Sequence, residues 1–276
     1  MKENRGKREK FLKKSKRTVS EALRSRDMLL SGVTKTIDDL NKIINQLVER
    51  LEDWYGIYFP ELKLEDHMKY AELVMMLDRG DMDKKELSKV VGQKKADEIA
   101  SKAQKTLGTK LEPEDLAQCH SLARSILEMD KLRTGYEEYQ KKLAEELCPN
   151  MSIVGGADIA AKLVSHIGSL NKLAMLPSST IQVLGAEKAL FKHLKNKKVR
   201  PPKHGLIFQH ARIASSPKSV RGKIARALAN KLSMAAKADA FTKRDISKKL
   251  KTEFDERYNE IMDNYRKAKE GKGKKE

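Results

Sequence analysis

The sequence predicts an all-α fold: a long antiparallel coiled-coil arm followed by a globular helical domain. Three observations carry this. Leu30, Val33, Ile37, Leu40, Ile44, Leu47, Leu51 and Trp54 recur at alternating spacings of 3 and 4, an unbroken heptad seam. A second seam follows at Leu122, Ile126, Met129, Leu132, Tyr136, Tyr139 and Leu143. Aromatic residues make up only 5% of the chain and charged residues 35%, a balance suited to long exposed helices rather than a sheet protein. Two heptad helices joined by a compact tip imply the antiparallel pairing.

Taken in order, residues 1–18 form a basic lead-in, MKENRGKREKFLKKSKRT, without the apolar core of a secretory signal. Two readings of it stay open, a nucleic-acid arm and a solvated tail. The arm covers 19–148. Its first helix ends at WYGIYFPEL, where Gly56 and Pro60 break the pattern. Trp54, Tyr55, Tyr58 and Phe59 are read as capping the tip rather than as a ligand box. Shorter helical pieces follow between Lys63 and Leu111, broken by RGDMD at 79–83, by Gly92 and by Gly108. Asp83 is placed to cap DKKELSKVV, with Glu86 at the third position. Pro113 opens the second long helix, since its missing N–H costs nothing in a first turn.

The globular domain covers 149–268. GGADIAAKLVSHIG reads as an amphipathic helix with Ala157, Ala160, Ala161, Leu163, Val164 and Ile167 on its apolar side. Pro177 marks a turn. A helix runs from Gly185 to about Leu194, with Leu190 and Phe191 as core, before the breaker-rich loop NKKVRPPKHG. The apolar run Leu206–Phe208 leads to a turn at SSPKS. The next helix, Val220 to Lys237, points Ile224, Leu228, Leu232 and Ala235 inward. A mixed-charge helix spans roughly Asp245 to Lys269, and 269–276 is a basic tail.

Charge is concentrated. The chain has a formal net charge of +19, and residues 185–237 hold fourteen Lys and Arg against one acid, Glu187. Residues 1–26 add eleven bases and three acids, whereas the middle of the chain is slightly acidic. Clustered cations attract polyanions and release their counterions on contact, so 185–237 is read as a nucleic-acid-binding face. Lys188, Lys192, Lys195, Lys203, Arg212, Arg221, Lys223 and Arg226 are the expected phosphate contacts. Arg212, Arg221 and Arg226 are favoured because a guanidinium forks onto phosphate. Gln209, His210 and His204 are expected to touch or stack on exposed bases. His193, beside Lys192 and Lys195, is expected to reach RNA, and His166 to pack in the core.

Other chemistries lack a scaffold. There is no GxGxxG or GxxxxGK[ST] loop, so the reading is of a non-enzyme without a nucleotide cofactor. His204 and His210 have no Cys or acid at ligand spacing, and no metal is expected. Cys119 and Cys148 are too few for a disulfide framework, which points to a reduced, intracellular setting. No apolar run approaches the roughly 20 residues that span a membrane.

Several runs together resemble the Nop-domain family: SEALRSRD, LNKIINQLVERLEDWYGIYFPEL, GGADIAAKLVSHIGSLNKLAMLPSSTIQVLGAEKALFKHL, PKHGLIFQH and RGKIARALANKLSMAAKAD. The resemblance covers roughly residues 19–268, and it is strongest to archaeal-type scaffolds of box C/D guide ribonucleoproteins. It implies a non-catalytic scaffold that binds kink-turn guide RNA already held by a ribosomal-type kink-turn protein. It also implies a homodimer through the heptad seam from Leu30 to Trp54. Gly185, Ala186 and Glu187 match the family's GAEK turn and are the implied partner-protein contact, although Glu187 can instead cap its helix. Fibrillarin, which performs RNA 2′-O-methylation with S-adenosylmethionine, docks in this family on an N-terminal domain. Only the basic lead-in stands at that place here, so fibrillarin docking is not carried over. Ala211 stands where many relatives have Pro. The implied location is the archaeal cytoplasm, or the nucleolus in a eukaryote. Two alternatives stay open: a Nop-domain splicing-type factor, and a coiled-coil adaptor with non-specific RNA affinity.

Overall fold

Residues 8–16, 20, 26–77 and 84–273 are described by the computed structural model, and among them there are helices and no strand. The turn expected at 79–83 with Asp83 as a cap, residues 1–7 and 17–18 of the lead-in, 19 and 21–25 at the start of the expected arm, and 274–276 lie outside the described residues. Residues 8–16 are helical and are called α1. Then come α2 (Asp27–Tyr58), α3 (His67–Met76), α4 (Lys84–Val91), α5 (Gln93–Gln104) and α6 (Pro113–Leu147). After them follow α7 (Pro149–Gly155), α8 (Ala157–Ile167), α9 (Leu170–Ala174), α10 (Ser178–Val183) and α11 (Glu187–Lys195). A 3₁₀ turn (Leu206–Gln209), α12 (Ala211–Ala214), α13 (Arg221–Lys237), a π-turn (Ala238–Thr242) and α14 (Ser247–Gly273) complete the order. The chain divides into two units, Thr36–Glu137 and a second made of Met1–Lys35 with Glu138–Glu276.

In the unit Thr36–Glu137, α2 and α6 run antiparallel. Arg133 Nη1 donates to Asn41 Oδ1 at 3.0 Å, while Thr109 N, just ahead of α6, donates to Ile57 O at 2.9 Å. The core here holds Ile44, Val48, Leu51, Tyr55, Phe59, Leu73, Cys119, Ala123 and Ile126. Two of the expected seam residues are displaced by this arrangement. Leu47 is only half-buried and Trp54 is 52% exposed, with Val48 and Tyr55 buried in their stead. The cause is helical pitch. A straight helix of 3.6 residues per turn drifts by about 20° per heptad, so the buried stripe slips one residue toward the C-terminus after two or three repeats. Tyr55 packs edge-on against Tyr58 and Tyr70, with centroids 5.5 and 6.5 Å apart. The tip aromatics are therefore core, Trp54 excepted.

The α6 seam is also corrected. Leu132 and Tyr136 are not buried, and Ala123 joins Ile126 instead; Leu132 is 52% exposed. Polar groups occupy the stretch around Arg133, which pairs with Asp130 at 2.5 Å. Asp66 caps α3, its carboxylate accepting from Met68 N and Lys69 N at 3.1 and 3.2 Å.

In the other unit, α13 is the central helix and packs against α7, α9, α10, α12 and α14. Ile224, Leu228, Leu232 and Ala235 are buried as expected. Leu30 and Val33 of α2 and Leu143 of α6 are buried in this unit as well, but Tyr139 is 40% exposed. Gln140 Nε2 donates to the buried Thr34 Oγ1 at 2.9 Å. Asp239 in the π-turn is 1% exposed. It accepts from Asn150 N, Asn150 Nδ2 and Met151 N at 3.1, 2.6 and 3.0 Å, which fastens the start of α7 to the end of α13. Asn150 Oδ1 in turn accepts from Ile246 N at 2.8 Å, ahead of α14.

Candidate nucleic-acid interface

The segment Gly185–His204 leaves the core and returns to it at a neck. There Gly205 N donates to Gln182 O (2.9 Å), Leu206 N to Leu184 O (2.7 Å) and Gln182 Nε2 to Lys203 O (2.8 Å). Two glycines make the neck possible. Gly185 adopts φ +85, which L side chains rarely take. A Cβ on Gly205 would lie 1.9 Å from Leu184 O, so no side chain fits.

Helix α11 is presented on this excursion and contains no buried residue. Glu187 in its first turn suits the positive end of the helix dipole. Its carboxylate accepts from Gly185 N at 2.7 Å and faces His166 Nε2 at 2.8 Å. Partial burial pushes the Glu187 carboxyl up, but the amides of Gly185 and Glu187 with His166 together hold it below the usual range. His166 is thus an exposed partner of Glu187 and not a core residue, since the core side of α8 is already filled by Leu163 and Val164. Lys188, Lys192 and Lys195 are exposed and fall within a ~60° arc of α11. Phe191, expected in the core, is 61% exposed beside that arc, and Leu194 is 53% exposed; among the described residues no element covers this side of the helix. His193 donates from Nδ1 to Val199 O at 2.5 Å and so shapes the 196–199 turn. Lys197, Lys198 and Arg200 on that turn are exposed and extend the basic surface. They had no place among the expected contacts, although their charge was visible in the sequence.

Beyond the neck, several expected RNA contacts are committed inside the fold. His204 stacks on Phe208 with centroids 4.4 Å apart and planes 14° from parallel, and the Arg221 guanidinium lies 5.3 Å from the same ring. Burial, then Arg221 and Lys203, hold the His204 pKa below its ordinary value. Arg221 Nε donates to Ser216 O at 2.8 Å and Nη2 to Ala214 O at 2.9 Å, tying down the turn before α13. Arg212 pairs with Asp255, and its guanidinium lies 4.8 Å over the Tyr258 ring. Two of the three favoured arginines therefore serve first as internal clamps. Their partners are backbone carbonyls and a carboxylate on α14.

His210 is also structural. Its Nδ1 accepts from Arg212 N at 3.3 Å, capping α12, and its ring meets Phe254 edge-on at 5.6 Å. Burial, then the Arg212 charge, pushes its pKa down. The backbone N–H of Arg212 faces Nδ1, which makes that nitrogen the acceptor. Gln209 is exposed, and its Oε1 accepts from Lys162 Nζ at 2.7 Å, which binds α8 to the 3₁₀ turn. Lys203 reaches Lys218 O at 3.3 Å.

Lys223 and Arg226 remain exposed on α13, at the edge of a groove of about 460 Å³ shared with α14. Glu253, Glu256 and Glu260 on the opposite wall make this groove mixed in charge. Lys231 there is paired with Glu253 at 2.5 Å. The exposed cations thus gather on α11 and the following turn, with Lys223 and Arg226 on α13. No cluster of His, Cys, Asp and Glu able to hold a metal exists among the described residues.

A family model described as Nop, "snoRNA binding domain, fibrillarin", matches residues 36–260. The chain is 41% identical over 254 residues to an uncharacterised NOP5 family protein of Methanocaldococcus jannaschii, covering 91% of this chain and 61% of that protein. It is 34% identical over 224 residues to nucleolar protein 58 of Schizosaccharomyces pombe, covering 80% of this chain and 44% of the relative. The mouse nucleolar protein 58 is 34% identical over 218 residues, covering 78% and 40%. The chain therefore spans between two fifths and about three fifths of these relatives. A crystal structure of a fibrillarin/Nop5p complex superposes with a TM-score of 0.52 at 29% identity, covering 93% of this chain and 78% of that one.

Proposed function

The chain belongs to the Nop family, and from that premise we propose that it is the RNA-binding scaffold of a box C/D guide ribonucleoprotein. It does no chemistry of its own. It grips a kink-turn RNA together with a ribosomal-type kink-turn protein, in a particle where fibrillarin performs guide-directed 2′-O-methylation. The observation that carries the reading is the exposed lysine arc of α11, which lies within the region matched by the snoRNA-binding family model. Its setting is the archaeal cytoplasm, or the nucleolus of a eukaryote.

Exposed lysines contact phosphates, which position an RNA without reading its sequence. With Arg212, Arg221 and His210 engaged inside the fold, few side chains are left to read bases. Discrimination must then come from a composite target, RNA plus its bound protein, with the Gly185–Lys188 turn against the protein. In a gel-shift titration at fixed salt, prior addition of the kink-turn protein should raise affinity for kink-turn RNA at least tenfold, about 1.4 kcal/mol. Equal affinity with and without it would overturn the composite site.

Homodimerisation is part of the same proposal, with a changed surface. Ile37, Leu40, Ile44 and Leu51 are buried by the chain's own helices. Trp54 and Ile57 stay 52% and 54% exposed, beside a cavity of about 380 Å³ lined also by Leu111, Asp115, Gln118 and Cys119. A second copy would cover that patch. Sedimentation at micromolar concentration should show a species heavier than the monomer, and Trp54→Asp should return it to monomer. A parent protein that sediments as a clean monomer rules the dimer out.

A further inference from the structure

Helix α1 lies outside the region matched by the family model, and its surface repeats the chemistry of α11 in another sequence. Residues 8–16 contain Arg8, Lys10, Lys13, Lys14 and Lys16 against the single acid Glu9. Lys10, Lys13 and Lys14 are exposed and fall within a ~100° arc of the helix. Phe11 borders that arc and is 69% exposed. On α11 the pattern is the same, with Lys188, Lys192 and Lys195 on one arc and the exposed Phe191 beside it.

A lysine stripe with an exposed aromatic at its edge suits one partner above others. Cations track a phosphate backbone, and a phenyl ring offers a stacking platform to any unpaired base. A membrane surface fits less well, because such helices carry a broad apolar face and the described residues 8–16 include only Phe11 and Leu12 as apolar side chains, side by side in sequence. Duplex RNA would use the charges and leave the ring idle, since its bases are stacked within the helix.

We infer that α1 is a second RNA-contacting element, which binds single-stranded RNA flanking the structured target through Lys10, Lys13, Lys14 and Phe11. The inference rests on the reading that the chain binds RNA, but it concerns a different surface and a different form of RNA. It gives the scaffold a grip on strand that has left the kink-turn stem.

The test compares the full chain with a K10Q/K13Q/K14Q variant, in titrations over a range of salt. Two synthetic probes are used: a blunt kink-turn RNA, and the same RNA with a single-stranded extension of about ten nucleotides. The extension should steepen the slope of log affinity against log salt by about 2 for the parent, from three phosphates at roughly 0.7 each, and leave the variant unchanged. A K10R/K13R/K14R variant should keep the parent slope. Phe11→Ala should weaken binding of the extended probe about fivefold without altering the slope, because stacking releases no counterions. An extension that steepens parent and K10Q/K13Q/K14Q alike overturns the inference. So does a triple variant that loses binding to phosphatidylserine vesicles while its RNA slopes stand, which assigns the helix to membranes. A K188Q/K192Q/K195Q variant keeps the two readings apart. If it weakens blunt-probe binding while the α1 variant changes nothing, this inference fails and the proposed scaffold function stands; if neither does, both fall.

Discussion

Asp239→Ala is expected to destabilise the protein by about 3 kcal/mol or more, the largest effect of any single change outside the apolar core. The carboxylate is almost fully buried and accepts from three donors, Asn150 N, Asn150 Nδ2 and Met151 N. Removing it leaves the amides of Asn150 and Met151 without partners, at about 1–3 kcal/mol each before relaxation and water entry offset part of the cost, while Asn150 Nδ2 keeps its bond to Arg244 O at 3.0 Å. Chemical denaturation of parent and variant measures the difference; a loss under about 1 kcal/mol would show the network to be replaceable. The pH dependence has a definite sign. Burial raises the Asp239 pKa, against the lowering effect of the Met151 and Asn150 hydrogen bonds. A carboxyl whose folded pKa lies above its unfolded one adds stability below the ordinary carboxylate range and loses it as pH rises through the raised value. The gap between parent and variant should therefore be wider near pH 4 than at pH 7.

The K188Q/K192Q/K195Q variant should show the largest functional loss. Three neutralised phosphates correspond to a change of about 2 to 3 in the salt slope, and at physiological salt to at least a tenfold loss of affinity for kink-turn RNA. Its thermal stability should be unchanged, because α11 buries nothing. Arg221→Ala should behave in the opposite way. It removes the donors to Ser216 O and Ala214 O and the cover over Phe208, so thermal stability falls while the salt slope shifts by less than one phosphate's share. Arg226→Ala, on an exposed position, should flatten the slope by about one phosphate and leave stability alone. An Arg221→Ala protein of parental stability with a flattened slope would return that guanidinium to the RNA surface.

Heptad spacing made the two long helices legible, because periodicity is a local property of sequence. The register of their buried stripe was less so. A strict 7-residue count takes Trp54 as core, and only the pitch of a real helix selects Tyr55. Charge density located the basic face, but not which cations are free. Arg212 is paired with Asp255, 43 residues away in sequence, and no local pattern announces such a pairing. His210 caps α12 although Ser, Thr, Asp and Asn are the usual signals for that role. Phe191 reads as core in the helix pattern of α11, yet apolar spacing does not reveal whether a neighbour exists to cover it.

The neck at Gly205 also decouples the length of the segment it closes from the stability of what lies beneath. Three hydrogen bonds across residues 182–184 and 203–206 fix both ends of the Gly185–His204 excursion. Closure entropy grows only as the logarithm of loop length, so doubling such a segment costs about 0.6 kcal/mol. The exposed turn at 196–200 is the place where added residues strain nothing, whereas the fixed ends tolerate no change in backbone. The fold thus keeps α11 on an adjustable tether, free to change reach and sequence while the core beneath it stays the same.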